Sequence, residues 1–144
     1  MQPTVGDVMT TDVLVVRPDT PFKEIVRRLR ERGVGAVPVV DDQRRVRGVI
    51  SETGLALKEE RRPGEPGPVL GLERPAHRRE RRKAAALTAA DCMSSPAVAI
   101  GPQATARAAA RLLHRRGIHH LPVTDDDGCL LGIVSRRDLL RAQR

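Results

Sequence analysis

Shifting the chain by 84 positions lays the stretch from Asp7 to Leu57 onto the stretch from Asp91 to Arg141 without a gap. Asp7/Asp91, Met9/Met93, Pro18/Pro102, Arg27/Arg111, Leu29/Leu113, Gly33/Gly117, Pro38/Pro122, Val39/Val123, Asp41/Asp125, Gly48/Gly132, Ser51/Ser135 and Leu55/Leu139 are identical pairs. Apolar, turn and helix-end positions all keep register, which chance similarity does not do. The fold must therefore be built twice from one plan. At 144 residues the chain suits one compact domain or two small ones.

Each copy reads as a short strand, a helix, a hairpin and a second helix. Leu14 to Val16 is the first strand, and Thr20 and Pro21 read as the cap and first residue of a helix. Phe22, Ile25, Val26 and Leu29 then recur at helical spacing and form one buried stripe, matched by Ala106, Ala109, Ala110 and Leu113. Gly33 and Gly117 stand where a helix end takes left-handed backbone. The stretches Ala36 to Val40 and Val46 to Ile50 are strands around the turn Asp41-Asp42-Gln43-Arg44, and the second copy turns at Asp125-Asp126-Asp127-Gly128. Closing helices are expected from Ser51 to Glu59 and from Ser135 to Gln143.

Between the copies, Arg62-Pro63-Gly64-Glu65-Pro66-Gly67-Pro68 is incompatible with regular structure. The expected division is a first domain over 1–59, a basic linker over 60–86 and a second domain over 87–144. The formal charge of +8 is concentrated in that linker, in Arg61-Arg62 and in the run from His77 to Lys83. Such a surplus brings nucleic acid or an anionic membrane into view as partners. Phe22 is the single aromatic residue, which argues against folds that stack bases on aromatic platforms. Cys92 and Cys129 are too far apart for a zinc-knuckle spacing, so reduced thiols are expected. No leader-like or membrane-length apolar run is present, and a cytoplasmic protein is expected.

The β-α-β-β-α repeat carrying Gly33-Val34-Gly35-Ala36-Val37-Pro38-Val39 and then Gly48-Val49-Ile50-Ser51 resembles the cystathionine β-synthase (CBS) domain family. The second copy, Gly117-Ile118-His119-His120-Leu121-Pro122-Val123 followed by Gly132-Ile133-Val134-Ser135-Arg136-Arg137-Asp138-Leu139, resembles it more closely still. The resemblance implies an α/β (α+β) fold of two repeats packed with pseudo-twofold symmetry, acting as a stand-alone regulatory pair rather than an enzyme. It also implies an adenosyl ligand, namely AMP, ADP, ATP or S-adenosylmethionine, in a cleft between the repeats, and a homodimer that signals to an unknown regulated protein.

Within that resemblance, Ser135-Arg136-Arg137-Asp138 matches the family pattern whose carboxylate takes both ribose hydroxyls. An ionised carboxylate only accepts, so its two oxygens suit two hydroxyl donors. The adenine that goes with it would lie near Thr10 and Leu14 and against the backbone of Gly35, Ala36 and Val37 before Pro38, with Arg137 toward the phosphates. The symmetric cleft, around Ser51, Ser94, His119, His120 and Leu121, has Gly54 where the carboxylate would be. One competent site is therefore expected rather than two.

Other readings of the same residues stand beside these. Ser135-x-x-Asp138 also fits a helix capping box, and both roles stay open. His119 and His120, read as neighbours on a strand, point to opposite faces, so no metal site is assigned. No P-loop, GxSxG, HExxH or dinucleotide fingerprint occurs in the sequence. The alternative function is a ligand-free scaffold whose basic linker contacts nucleic acid or a protein.

Overall fold

The structure is a computed structural model and describes residues 2–52 and 87–142. The linker, its basic stretch, Gly54 and most of the first closing helix lie outside the described residues. In chain order the elements are α1 (Val5–Val8), α2 (Phe22–Arg32), β1 (Ala36–Val40), β2 (Val46–Ser51), α3 (Ala89–Cys92), α4 (Ala106–Arg116), β3 (His120–Thr124), β4 (Leu130–Ser135) and α5 (Arg136–Ala142).

Both hairpins form in the same register. Ala36 faces Ser51 and Val39 faces Gly48, while His120 faces Ser135 and Val123 faces Gly132, each pair of strands carrying an irregularity one residue later. Their turns use the same side-chain device. Asp41 Oδ1 accepts from the amides of Gln43 and Arg45 at 2.9 and 3.0 Å, and Asp125 Oδ1 accepts from those of Asp127 and Cys129 at 2.9 Å each. The bond from the backbone amide of Arg45 is the main cause holding Asp41 below the usual carboxylate range.

The first strand is shorter than the sequence implies, because only Val16 pairs, through a parallel bridge to Val39. The chain turns at once beyond it, and the Thr20 hydroxyl accepts the Arg17 amide at 2.9 Å. That bond corrects the expected cap. Pro21, not Thr20, occupies the N-cap of α2 and makes no side-chain bond there, whereas in the second copy Thr105 caps α4 by accepting from Ala108. Both helices end as expected, on glycines with φ of 63° and 64°.

The repeats as written in sequence are not the units that pack. Val5, in α1, is fully buried in the second copy's core with Leu113, Leu121, Val123 and Val134. Ala89, in α3, is likewise buried in the first copy's core with Val16, Ile25, Val37 and Ile50. Each short helix has thus been handed to the opposite repeat. The exchange is pinned by backbone bonds: Val5 donates to Ala104 at 2.8 Å and Ala106 to Pro3 at 2.9 Å, mirrored by Ala89 to Thr20 and Phe22 to Leu87, both 2.9 Å. Past the short helices, Thr10 exchanges bonds with Ile133 on β4, and Ser94 does so with Val49 on β2. Neither core closes without a piece of the other, so the two copies fold as one body.

One position departs from the repeat at a measurable cost. Arg44 has φ of 65°, where its partner in the second turn is Gly128 with φ of 83°. A side chain in left-handed backbone costs about 1 kcal/mol. Replacing Arg44 by Gly is expected to raise stability by up to that amount, and urea unfolding checks it.

Candidate functional site

The exchange brings the segment before each hairpin against the end of the opposite one, leaving two clefts of unequal size. The larger, of about 600 Å³, takes Thr10, Leu14, Gly35 and Ala36 from the first copy and Ser135, Arg137 and Asp138 from the second. Thr10 is fixed there by its bridge to Ile133, and Gly35 and Ala36 by the helix stop at Gly33. Val37 and Pro38 do not line the cleft, since β1 carries them straight into the core, where they are fully buried.

Asp138 sits in the first turn of α5 and closes a capping box with Ser135. Its Oδ2 accepts the Ser135 amide at 2.9 Å, and the Ser135 hydroxyl accepts the Asp138 amide at 3.1 Å. The box engages one carboxylate oxygen, Oδ2, and holds Asp138 where it lines the cleft. A second pair of bonds locks the site to the backbone that precedes each hairpin. Arg136 donates its amide to His119 O at 2.9 Å, and Glu52, its counterpart in the first copy, donates to Gly35 O at 2.8 Å.

Asp12, Glu52, Arg136, His119 and His120 also line the larger cleft, and sequence reasoning did not place them there. The signal was available in the repeat: positions 52 and 136 are equivalent, and a twofold arrangement brings equivalent positions together. The strand begins only at His120, so the alternation of a ladder does not extend to His119, and both residues border the same space. Among the described residues, no group of three or more His, Cys, Asp or Glu is arranged to hold a metal ion.

His120 packs against the bare backbone of Gly35, where an added β-carbon would lie 3.0 Å from Cε1 and 3.1 Å from Nε2. Burial holds its imidazole below the ordinary value, helped by the charge of His119 and opposed by Asp138 and Glu52. Arg136 and Arg137 are exposed at the rim. Arg32 is engaged nearby with Asp12 at 3.5 Å.

The smaller cleft, of about 250 Å³, is lined by Ser51, Ser94 and the stretch from Pro96 to Val98, and it shares Gly35, Ala36, His119 and His120 with its neighbour. Among the described residues lining it there is neither a carboxylate nor a guanidinium. Leu121 is fully buried in the core instead of bordering this space. Together the two clefts therefore place the carboxylates and arginines on one side of a shared wall.

Known proteins share this fold. The chain is 29% identical to the CBS-pair protein CBSX2 of Arabidopsis thaliana in a crystal structure with AMP, with a TM-score of 0.79 over 98% of this chain and 96% of that one. The CBS domain of a membrane protein from Sphaerobacter thermophilus is 29% identical, with a TM-score of 0.70 over 98% and 88% of the two chains. The CBS domain-containing protein YhcV of Bacillus subtilis is 28% identical over 94% of this chain and 82% of its own length. A Methanopyrus kandleri protein is 29% identical over 97% of this chain, which spans 62% of that relative's length. Among the described residues, no helix is long and apolar enough to cross a membrane. The CBS domain model matches twice, over residues 5–58 and 89–144, and the chain belongs to the CBS domain family as a tandem pair.

Proposed function

We propose that this CBS pair is a regulatory sensor that binds an adenosyl nucleotide of the AMP, ADP or ATP class in its larger cleft and signals by rearranging its two halves. The observation that carries the reading is Asp138, which lines the larger cleft and whose carboxylate is held by its own helix cap through Oδ2. A ribose offers two adjacent hydroxyl donors, and a carboxylate is the acceptor that suits both. The AMP complex of CBSX2, at 29% identity, supports this ligand class. Ligand binding across the joint between exchanged helices would favour one arrangement of the halves, since each half contributes to the cleft. The same reading carries S-adenosylmethionine as an alternative ligand, a homodimer, a cytoplasmic location, a separate regulated protein and no catalytic role.

Thermal melting with AMP, ADP, ATP and S-adenosylmethionine tests it. A ligand of the native state at a hundredfold excess over its Kd adds about 2.7 kcal/mol, so a concentration-dependent rise in Tm is expected with at least one of them. A Tm indifferent to all four overturns the reading.

A further inference from the structure

The charges around the larger cleft cancel before any ligand arrives. Glu52 and Asp138 stand against Arg136 and Arg137, and the remaining acid, Asp12, is paired with Arg32. A phosphate ester brings roughly −1.5 to −2 charges at neutral pH. Placing that charge in a balanced, partly desolvated space is costly unless a new positive charge appears with it. Histidine is the residue type able to supply one near neutral pH, and His119 and His120 both line the cleft. They are not equivalent: His119 is exposed, while His120 is half-buried on the wall against Gly35.

We propose that His120 is a proton-coupled recognition residue of the larger cleft: a phosphate entering the cleft draws a proton onto its imidazole, so the site selects a phosphorylated nucleoside over the neutral one. The inference rests on the nucleotide reading above and adds a specificity determinant to it. The groups facing His120 are Asp138 on α5, Glu52 at the end of β2, and His119 beside it; the two acids make room for the imidazolium once a phosphate is present. In the empty protein burial disfavours the charged ring and holds its pKa below the ordinary value. A bound anion raises that pKa. Between the free and bound values the complex holds more protons than the free protein, so affinity rises as pH falls.

Calorimetric titration of the full chain with AMP and with adenosine, at about pH 8 and about pH 6.5 in two buffers of different ionisation enthalpy, reads the proton directly. For the wild type, AMP affinity should tighten on the order of threefold toward the lower pH with a fraction of a proton taken up, and adenosine should show neither effect. His120→Gln should flatten the AMP response, and His120→Asn gives a second check if the first variant melts early. AMP binding that is independent of pH, or pH dependence that survives in His120→Gln, overturns the proposal while leaving the nucleotide reading in place. Absence of AMP binding at both pH values overturns this proposal, and the nucleotide reading falls with it only if ADP, ATP and S-adenosylmethionine fail as well.

Discussion

Gly132→Val is expected to cost roughly 3 kcal/mol or more and to lower Tm by about 10 °C, because it fills the place where the two repeats touch. A β-carbon at Gly132 would lie 2.7 Å from the Thr10 carbonyl oxygen and 2.8 Å from Met9 Sδ. The sulfur can swing away, but the carbonyl cannot. Thr10 is held to Ile133 by bonds of 2.8 and 2.9 Å running in both directions, so relief of the clash means loss of that bridge. The repeat supplies its own replicate. At Gly48 the obstacles are the Ser94 carbonyl at 2.7 Å and Met93 Sδ at 2.6 Å, and Gly48→Val should behave alike. Gly101→Ala, where nothing lies within 4 Å, is the matched control and should change stability by less than about 0.5 kcal/mol. Denaturant unfolding of the three variants decides it. Equal stability of Gly132→Val and wild type would contradict the exchanged joint.

The second large effect is on ligand. Asp138→Asn is expected to weaken nucleotide binding about 100-fold, because hydrogen bonds to a charged group contribute about 1.5–3 kcal/mol each and the amide replaces one acceptor by a donor. Its helix cap largely survives, since an Asn oxygen can still accept the Ser135 amide. Ser135→Ala reverses the pattern: it removes the hydroxyl that accepts the Asp138 amide at 3.1 Å. That variant should lose about 1 kcal/mol of stability. Its nucleotide affinity should stay near that of the wild type, because the carboxylate remains. Titration and melting of both variants separate capping from binding. Parallel losses of affinity in the two would mean that the box acts only on the fold.

Much of this was legible from the amino acids because local rules and the repeat agreed. The helix stops at Gly33 and Gly117, the buried stripes of α2 and α4 and both hairpins follow from residue type and spacing alone. The exchange of α1 and α3 was not legible, since Val5 and Ala89 show only that they are apolar, not whose core they enter. That choice is made by tertiary contacts, which override sequence proximity. Thr20 misled for a related reason. Its hydroxyl accepts the Arg17 amide behind it rather than an amide of the helix ahead. At the site, Asp138 was visible through its spacing from Ser135, whereas Glu52 and His120 required knowing that equivalent positions of the two copies meet. Val37, Pro38 and Leu121 failed as lining residues because the strands that begin beside the clefts run directly into the cores.

The asymmetry between the copies should leave one competent nucleotide site per chain, at Asp138. Calorimetric titration of the wild type and Asp138→Asn with AMP measures this most directly. One nucleotide bound per chain is expected in the wild type, and about 100-fold weaker binding in the variant. Two equivalent nucleotides per chain, or undiminished binding in Asp138→Asn, would contradict it.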